Sequence, residues 1–538
     1  MNKENNLTIA KALMRFLKSV GVKNIYGVPG GGSSLDLIDA AEENGINFFL
    51  VKREDNAVIM ASVSGDLTNT IGVALVTKGP GLSNAMNGIA YACLDRSPLI
   101  LFSDGFSSKL SSFVTHQVFD QKKLMSPFSK GYSNLNDDNP LNDFQKVVSQ
   151  AFSAPYGPVY IELITAVAQK NIEIKNEFEK KQVDIVPTTL DIDKSKALLL
   201  ESKKPVIVLG LENLRSQSFK EINDLLKVLN CPVFVTYKAK GVVADSNKNF
   251  VGIFTGGKVE QACILESDLI ILIGLDPVEL ILQPWPYNIP VLNISVMKYE
   301  THYVKPSANL YGNLSQNIKL ISEIAILSDW VDKKIDFFKN EIKSKLFFPT
   351  DDKLNPQSIV ELAQKYSVTN PRVTVDAGAH MFSATAFWKC KEPHDLLISN
   401  GLATMGFALP AAIAASIENN ERGAIAFTGD GGFMMCCSEL ATAAQFNCNI
   451  LVIVFNDGAL SLIDIKQKSR NLTRKGTTWP QSDFAKVAEG FGCKSWRVSN
   501  VEDYKKALID ASQHDGPKLI DVLVNPEGYS EQLKSLRG

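Results

Sequence analysis

The stretch GDGGFMMCCSELATAAQFNCNILVIVFND, from Gly429 to Asp457, decides the fold of this 538-residue chain. Asp430 follows the apolar run 424–427, and Asp457 follows the apolar run 450–455. Each acid is therefore expected at the carboxyl end of a buried parallel strand, where open α/β sheets build their ligand sites. Glycines beside an acid let the backbone approach a phosphate, and carboxylates with backbone carbonyls are oxygen ligands that suit Mg²⁺. A turn with incidental acids is the alternative for GDG alone, but the second acid at this spacing favours a metal-held phosphate.

Alternating apolar strands and helix-like segments continue outward from this stretch and divide the chain into three blocks. Two charged passages separate the blocks, at 171–187 and at 329–354. Strands spaced by helical segments indicate parallel sheets with helices on both faces. We therefore expect an α/β protein with three doubly wound parallel-sheet domains, at residues 1–170, 188–328 and 355–538. The expected strands are 25–27, 48–51, 71–77, 98–103 and 158–163 in the first block, 205–210, 233–236, 269–274 and 291–295 in the second, and 372–376, 424–428, 450–455 and 518–524 in the third.

The composition argues against several classes of function. The net charge is −2 and no basic tract occurs, which disfavours binding to nucleic acid or to an anionic membrane surface. The N-terminus is polar and no apolar run reaches the roughly 18 residues that span a bilayer, so we expect neither a signal peptide nor a membrane anchor. The eight cysteines form no CxxC pair and the five histidines form no HxxxH pair. We therefore expect reduced thiols, no transition-metal centre and a cytoplasmic location.

Two glycine-rich turns in the first block follow expected strands. No GxxxxGK[ST] run occurs and no complete GxGxxG follows a strand, which disfavours a P-loop enzyme and weakens a nicotinamide oxidoreductase. The first block offers instead VPGGGSS at 28–34 and KGPG at 78–81. Each brings bare backbone to a strand end, where Gly31 and Gly32 are candidates for contact with a substrate. Each turn alone could equally be only a tight turn.

Glu54 is the acid of the first block that could carry chemistry. It follows the expected strand 48–51 and begins a helical segment that reaches Met60. An acid is favourable in the first turn of any helix, which is one explanation for it. The other is a carboxylate held beside a ligand for proton transfer.

Several segments in the same order resemble the thiamine-diphosphate-dependent enzymes of the acetolactate synthase (2-oxo acid decarboxylase/carboligase) superfamily. The resemblance covers the first and third blocks almost end to end and is weakest in the middle block. It implies a pyrimidine-binding domain, a central Rossmann-like domain and a diphosphate-binding domain. It also implies a homodimer or homotetramer, because the two ends of one cofactor are bound by different subunits in this family. The segments are REDNAVIMA at 53–61, KGPGLSNAMNGIAYA at 78–92, THQVFDQ at 115–121, FSK at 128–130, SNGLATMGFALPAA at 399–412, GDGGFMM at 429–435 and FND at 455–457.

The resemblance implies roles for residues around the reacting end of the cofactor. Glu54 matches the glutamate that hydrogen-bonds the aminopyrimidine ring and favours the tautomer that generates the nucleophilic ylid. Met405 matches the apolar wedge that bends the cofactor, although a core methionine is the ordinary alternative, and the carbonyl of Ala403 matches a contact to the ring's amino group. Gln117 matches a glutamine close to the reacting carbon. His116 stands where acetolactate synthases usually carry phenylalanine, and it could relay a proton or be merely structural.

The resemblance also implies how the diphosphate end is held. Asp430, Asp457 and the carbonyl of Ala459 match the Mg²⁺ ligands; many relatives have asparagine at 457, and aspartate occurs in the catabolic acetolactate synthases. His380, at an expected helix N-terminus, could donate to a phosphate oxygen or be a packed histidine. The residues that match the diphosphate-binding loops are Gly378, Ala379, His380, Gly429, Gly431, Gly432 and Gly458.

Two further departures from the family limit the functional interpretation. The FAD-dependent enzymes carry an arginine-rich element in the middle domain, where this chain has GLDPVEL at 274–280, so FAD is doubtful. Lys466 stands in place of a substrate-selecting tryptophan. It could pair with an anionic substrate or be a solvated helix lysine.

The resemblance implies decarboxylation of a 2-oxo acid with thiamine diphosphate and Mg²⁺, followed by carboligation of the enamine to an aldehyde or ketone acceptor, as in acetolactate synthase. The alternative is a non-ligating decarboxylase or a C–C lyase, as sulfopyruvate decarboxylase and benzaldehyde lyase are. An inactive cofactor-binding regulator on the same fold is a third possibility, against which the presence of Glu54 and Asp430 argues. The donor and acceptor substrates stay open.

Overall fold

Three six-stranded parallel sheets form the framework of the chain. The computed structural model describes residues 6–107, 112–135, 139–173, 185–280, 284–300, 304–348 and 354–537. Each sheet is flanked by helices, and every pair of neighbouring strands within it is parallel. The expected α/β class with three parallel-sheet domains is confirmed.

The first sheet has the strand order β3-β2-β4-β5-β7-β6, and β1 pairs antiparallel with β8 outside it. Its strands are β1 (Asn6–Thr8), β2 (Asn24–Val28), β3 (Asn47–Leu50), β4 (Gly72–Val76), β5 (Leu99–Asp104), β6 (Tyr132–Ser133), β7 (Pro158–Leu163) and β8 (Asn171–Glu173). Its helices are α1 (Ile9–Ser19), α2 (Ser33–Glu43), α3 (Glu54–Thr68), α4 (Pro80–Asn84), α5 (Met86–Leu94), α6 (Gln121–Met125), α7 (Pro140–Ala151) and α8 (Thr165–Ala168). The charged passage 171–187, which was expected to link the first two blocks, begins as a strand because residues 171–173 pair with β1. Its residues 174–184 lie outside the described part of the chain.

The central sheet has the order β11-β10-β9-β12-β13-β14. Its strands are β9 (Pro205–Leu209), β10 (Val233–Val235), β11 (Phe250–Ile253), β12 (Leu269–Ile273), β13 (Val291–Ser295) and β14 (Ala308–Tyr311). Its helices are α9 (Thr189–Glu201), α10 (Glu212–Ser216), α11 (Phe219–Leu229), α12 (Gln261–Ile264), α13 (Leu314–Ile324) and α14 (Asp332–Leu346), with a 3₁₀ turn at Pro277–Glu279. Helix α14 lies within the second charged passage, 329–354.

The third sheet has the order β16-β15-β17-β18-β20-β19. Its strands are β15 (Arg372–Val375), β16 (Leu396–Ile398), β17 (Ala424–Gly429), β18 (Ile450–Asn456), β19 (Lys494–Val498) and β20 (Lys518–Leu523). Its helices are α15 (Pro356–Tyr366), α16 (His380–Phe387), α17 (Ala408–Glu418), α18 (Asp430–Cys436), α19 (Glu439–Gln445), α20 (Ser461–Ser469), α21 (Phe484–Gly490), α22 (Val501–Ala511) and α23 (Tyr529–Arg537). Strands β17 and β18 are neighbours in the sheet, so their carboxyl ends lie side by side.

Five strands of the three sheets were not expected, and all five are edge strands. They are β6 in the first sheet, β11 and β14 in the central sheet, and β16 and β19 in the third. Interior strands such as β4 and β12 are buried along their whole length, because helices cover both faces of the sheet. An edge strand has one neighbour and is often short and mixed in composition, so its sequence carries a weaker signal.

The chain divides by packing into two compact units, which differ from the three sequence blocks. The first unit contains residues 1–182 together with 409–421 and 436–448, so most of α17 and all of α19 belong to it. The second unit contains residues 183–408, 422–435 and 449–538, and with them the central and third sheets. The predicted boundaries at 170, 188, 328 and 355 stay predictions.

Two further observations concern the described residues. Among the described residues, no helix combines the length and the apolar character that crossing a membrane requires. All eight cysteines lie in the described part, where each is a free thiol.

Candidate active site

Asp430 and Asp457 lie at the carboxyl ends of the neighbouring strands β17 and β18, as the sequence predicted. Asp430 is 1% exposed, and its carboxylate accepts hydrogen bonds from the amides of Gly431 (2.8 Å) and Gly458 (2.7 Å). Asp457 accepts a hydrogen bond from the Ser461 hydroxyl. Parallel pairing thus brings together two acids that are 27 positions apart in sequence.

The two carboxylates are electrostatically unfavourable without a cation. Burial, and then the negative charge of Asp457, raises the pKa of Asp430 to about 7. Burial also raises the pKa of Asp457. A divalent cation held by them would offset both the desolvation and the repulsion, because an opposite charge favours the ionised forms.

Glycines around the acid pair lie so close to neighbouring residues that larger residues would not fit there. A methyl group added to Gly431 would lie 3.0 Å from Leu460 and 3.4 Å from the terminal methyl of Met405. Gly458 has a φ of 69°, and a Cβ there would lie 2.8 Å from the carbonyl oxygen of Trp479. The backbone at these positions is therefore bare for steric reasons.

Met405 and Ala403 lie on a loop that is fixed by the end of β15. Ala403 has a left-handed φ of 54° and is exposed, and Met405 is half-buried. Asp376, directly after β15, accepts hydrogen bonds from the amide of Phe407 (2.9 Å) and the hydroxyl of Thr428 (2.8 Å). Burial raises the pKa of Asp376 to about 6, and its two donors tie the Met405 loop to the end of β17.

His380 begins helix α16 and is packed as well as pointed at the site. Its ring stacks on Phe455 at a centroid distance of 5.2 Å and is 3% exposed. Burial lowers its pKa to about 4, so the imidazole is neutral at neutral pH. Within the described residues, its Nε2 is buried without a hydrogen-bond partner. A neutral imidazole has one N–H, and the ring already makes a backbone hydrogen bond with Phe427, so the donation to phosphate that the sequence suggested requires the tautomer with its proton on Nε2 and stays a prediction.

The predicted cofactor residues of the third block converge on one cavity of about 270 Å³. Gly458 contributes its backbone amide, which donates a hydrogen bond to Asp430. Ser461, Ile463 and Tyr529, which the sequence did not single out, also border the cavity. The predicted residues that line it are Gly378, Ala379, His380, Ala403, Met405, Gly429, Asp430, Gly431, Gly432, Asp457 and Ala459.

Glu54 is the first residue of helix α3 and is half-buried in the first unit. The Asn84 side chain donates a hydrogen bond to its Oε2. A methyl group on Gly81 would lie 3.4 Å from its Oε1, so the KGPG turn passes the carboxylate with bare backbone. One carboxylate oxygen is thus fixed by Asn84, and the other faces a glycine.

Gln117 and His116 lie on an exposed loop against the same KGPG turn. Gln117 has a left-handed φ of 62°, and a Cβ on Gly79 would lie 2.8 Å from its Cβ. Gly79 itself has a φ of 67°, so the close approach requires glycine on one side of the contact. The structure therefore brings Glu54, the KGPG turn and Gln117 into one corner of the first unit, with the His116 side chain exposed beside it.

The residues predicted to contact substrate are in different surroundings. Gly31 borders open space, whereas a Cβ on Gly32 would lie 3.0 Å from the carboxylate of Asp104. Asp104 fastens this turn by accepting from the amide and hydroxyl of Ser34, both at 2.8 Å. Lys466 is exposed on helix α20, as a solvated helix lysine would be.

The residues at the acid pair fit a magnesium ion and a diphosphate. In the described part of the chain, no group of three or more His, Cys, Asp or Glu side chains is arranged to hold a metal. A metal here would be held by Asp430 and Asp457, with other oxygens from the carbonyl of Ala459 and from the diphosphate. The unpartnered Nε2 of His380 and the bare glycine backbone supply what a diphosphate needs.

The carboxyl edge of the central sheet does not fit a dinucleotide such as FAD. Glu279 accepts from the amide of Leu211 at 2.8 Å, and Glu212 accepts from the amide of Val296 at 3.0 Å. These are strand-end amides of the kind that bind phosphates in Rossmann folds. Burial raises the pKa of Glu212 to about 7 and that of Glu279 to about 8, and Asp276 is fully buried beside them. The chain's own acidic side chains already occupy these amides, so a diphosphate would have to displace them.

Four residues that organise the site were missed from the sequence. Asp376 and Asp104 each end a strand, as Asp430 does, so the strand-end rule would have found them had it been applied to every strand. Asn84 lies within the matched segment at 78–92 but has no pattern of its own. No local signal marks Ser461, because its role depends on the turn after β18.

Comparison with known proteins gives three family models in chain order. They are "Thiamine pyrophosphate enzyme, N-terminal TPP binding domain" over residues 7–124, "central domain" over 192–320 and "C-terminal TPP binding domain" over 376–522. Similar proteins include an acetolactate synthase of Bacillus subtilis, 26% identical over 97% of this chain and 94% of its own length. Others are the acetolactate synthase isozyme 3 large subunit of Escherichia coli (28% identity, 97% and 95%) and an acetolactate synthase large subunit of Buchnera aphidicola (29%, 94% and 92%).

Proposed function

The chain belongs to the thiamine-diphosphate-dependent enzymes of the acetolactate synthase superfamily, and we propose that it decarboxylates a 2-oxo acid and ligates the product to a second carbonyl compound. Mg²⁺ is the proposed metal, with Asp430, Asp457 and the carbonyl of Ala459 as its protein ligands. The relatives named acetolactate synthase support this reaction class.

One observation carries the proposal. Two acids, Asp430 buried and Asp457 half-buried, line one cavity with bare glycine backbone and with the Nε2 of His380, which has no hydrogen-bond partner among the described residues. In the first unit, Glu54 begins a helix with its Oε2 held by Asn84 and its Oε1 facing Gly81. A structural ion-pair network would pair the acids with lysine or arginine. Asp430 and Asp457 receive only backbone amides and the Ser461 hydroxyl among the hydrogen bonds found in the described residues.

The residues of the chain are proposed to position and protonate, while the bound cofactor carries the carbon chemistry. Thiamine diphosphate supplies a thiazolium carbon that adds to the carbonyl of a 2-oxo acid and accepts the electron pair left by carbon dioxide. Asp430 and Asp457 would hold the metal, and His380 would contact the diphosphate. Glu54 would hold a proton at the ring nitrogen of the cofactor, while Asn84 fixes its second oxygen. Met405 would pack against the cofactor from the wall of the cavity.

The site is proposed to be completed by two copies of the chain. In this superfamily the pyrimidine end of one cofactor is held by one subunit and the diphosphate end by another. We therefore propose a homodimer or a homotetramer in which Glu54 of one copy serves the cavity of the other. The central domain is proposed to bind no FAD, because Glu212 and Glu279 use the amides that a dinucleotide would need.

The choice between ligation and simple decarboxylation is proposed to depend on the loop around Gln117. His116 offers an ionisable ring where acetolactate synthases usually carry phenylalanine, and a proton reaching the carbanionic carbon would release an aldehyde. An acceptor carbonyl arriving first would give ligation. Gly31, Gly32 and Lys466 remain candidates for substrate contact.

The test is a panel of 2-oxo acids given to the protein with thiamine diphosphate and Mg²⁺, with and without aldehyde and ketone acceptors. Carbon dioxide and ligated product are measured together. We expect both, and we expect Glu54→Gln to lose turnover while it still binds the cofactor. If carbon dioxide forms without ligated product with every acceptor, the ligation proposal is wrong and the protein is a non-ligating decarboxylase. Full turnover by Glu54→Gln would overturn the catalytic assignment.

A further inference from the structure

Helix α3, which Glu54 begins, is capped by a side chain from a distant part of the chain. Its N-cap residue is Arg53, whose own side chain makes no capping hydrogen bond. The fully buried Glu439 of helix α19 takes that role. Its Oε1 accepts from the amides of Lys52 (3.0 Å) and Arg53 (3.1 Å) and from the Asn56 side chain (3.0 Å).

The carboxylate of Glu439 is itself held in place. Its second oxygen accepts from the hydroxyl of Thr442 at 2.7 Å, one turn further along α19. A negative charge at a helix N-terminus is stabilised by the unpaired amides there and by the helix dipole. One buried side chain thus anchors the two residues that precede α3 and the Asn56 side chain in its first turn.

A continuous set of hydrogen bonds leads from this cap to Glu54. Arg53 has its backbone amide held by Glu439, and its guanidinium donates to Asp55 (3.1 and 3.2 Å) and to the side-chain Oδ1 of Asn84 (3.2 Å). Asn84 in turn donates to Glu54 Oε2. The amide of Asn84 is therefore oriented on one side by Arg53 and on the other by Glu54.

We propose that Glu439 is the positioning residue for Glu54: its carboxylate caps helix α3 and, through Arg53 and Asn84, holds the Glu54 carboxylate in the orientation that proton transfer to the cofactor ring requires. This inference rests on the proposed function, because it assigns a supporting residue to the glutamate named there. Glu439 touches neither metal nor substrate in this assignment and acts only through α3.

The chain offers a matched control at the other end of the same helix. Glu418 of α17 accepts from the Ser64 hydroxyl and from the Asn24 side chain at 2.7 Å. Like Glu439, it joins a late segment of the chain to α3 within the first unit. Removing it takes away two hydrogen bonds, against four at Glu439, and leaves the Glu54 end of the helix untouched.

The first experiment uses the cofactor-free protein and measures backbone amide exchange in a peptide spanning residues 50–58. Glu439→Ala is expected to raise exchange at this peptide at least tenfold, because two amides lose their acceptor. Glu439→Gln keeps an amide oxygen at the same place and is expected to restore most of the protection, and Glu418→Ala is expected to leave this peptide unchanged. Unchanged protection in Glu439→Ala would overturn the capping role.

The second experiment measures deuterium exchange at the reactive thiazolium carbon of bound thiamine diphosphate at saturating cofactor, beside kcat and KM. We expect Glu439→Ala to slow exchange and kcat by about ten- to a hundredfold, since small misplacement of a reacting group has costs of that size. KM should stay within about threefold, and Glu418→Ala within about twofold of wild type. A merely structural Glu439 would lower thermal stability without slowing exchange at saturation, and that result would overturn the proposal.

A parallel variant separates the two levels of inference. Glu54→Gln should lose thiazolium exchange; if it keeps the wild-type rate, the proposed function fails, whatever Glu439 does. If Glu54→Gln loses exchange and Glu439→Ala does not, only the positioning role fails. Should Glu439→Ala not fold, Glu439→Asp retains the charge but is one methylene shorter; we expect a loss of about tenfold in exchange rate, and a wild-type rate would overturn the proposal.

Discussion

At the carboxyl edge of the third sheet, Asp430 and Asp457 border an open cavity, whereas at the carboxyl edge of the central sheet Glu212 and Glu279 are enclosed by their own hydrogen-bond donors. Both edges belong to six-stranded parallel sheets, and both carry acids directly after strands or in the loops beside them. The third edge has glycines beside its acids, and the Nε2 of His380 has no hydrogen-bond partner within the described part of the chain. The central edge gives its strand-end amides to carboxylates. The comparison teaches that an acid at a strand end marks a site only where backbone and space remain for the ligand.

The largest expected effect comes from breaking the third edge. Asp430→Asn removes the charge that would hold the metal, and we expect kcat/KM to fall by about 10³-fold, because a metal clamp supplies several kcal/mol. The matched change at the central edge, Glu279→Gln, should leave kcat/KM within about threefold. Steady-state decarboxylation and a cofactor titration by fluorescence check both. Equal losses of kcat/KM in Asp430→Asn and Glu279→Gln would mean that the two sheet edges do not differ in their role in catalysis.

The next effect is a pH dependence of stability at the central edge. The pKa of Glu279 is about 8 in the folded protein, above its usual 4.5, so the folded state favours the protonated form. The stability that this group contributes is therefore present below pH 4.5 and is lost as the pH rises through 8. Glu279→Gln does not titrate, so its advantage over wild type should grow by about 2 to 4 kcal/mol between pH 5 and pH 9.

Urea unfolding at the two pH values measures this difference. Glu201→Gln, which changes an exposed residue at the end of α9, serves as the control. Its difference in unfolding free energy from wild type should not grow between pH 5 and pH 9. A pH-independent difference between Glu279→Gln and wild type would mean that the acid is ionised in the folded protein.

A smaller effect is expected from filling the space that the third edge leaves open. Gly431→Ala places a methyl group 3.0 Å from Leu460 and 3.4 Å from Met405, so cofactor affinity should fall by roughly tenfold. Gly252→Ala in β11 of the central domain meets only Ile342 at 3.4 Å and is the matched control. Its cofactor Kd, measured by the same titration, should stay within about twofold. An unchanged Kd for Gly431→Ala would show that the ligand does not approach this backbone.

The smallest expected effect is that of FAD on the wild-type protein. Because the central edge uses its own amides, added FAD should change activity by less than about twofold, and the purified protein should carry no flavin absorbance. Stoichiometric flavin in the purified protein, or activity that requires flavin, would contradict the proposal that the central domain binds no FAD.

Much of the fold was accessible from sequence because interior strands are continuous apolar runs. The runs at 424–428 and 450–455 predicted β17 and β18 with the acids at their ends. Because the two strands are parallel neighbours, their acids lie at the same edge of the sheet. Edge strands such as β14 and β19 lack this signal. The division into two compact units was also not accessible, since the assignment of α17 and α19 to the first unit depends on packing between segments far apart in the chain.

The candidate site was predictable where a local pattern carried it and unpredictable where a long-range contact did. Asp430, Met405 and His380 could be named from motifs, and they line one cavity. Glu439 could not, because its capping of α3 joins positions nearly 390 residues apart. Buried polar residues of this kind have no periodicity of their own and are identified only by the donors around them.

The two late segments of the first unit have a consequence for how the protein is made. Residues 409–421 and 436–448 complete a unit whose sheet ends near residue 163. At a synthesis rate of roughly 5–20 residues per second, the ribosome needs on the order of tens of seconds to travel that distance. During this interval the amides of Lys52 and Arg53, just before α3, and the side chains of Asn24 and Ser64 lack their acceptors, Glu439 and Glu418. The nascent N-terminal third therefore stays incomplete until these two segments have been synthesised.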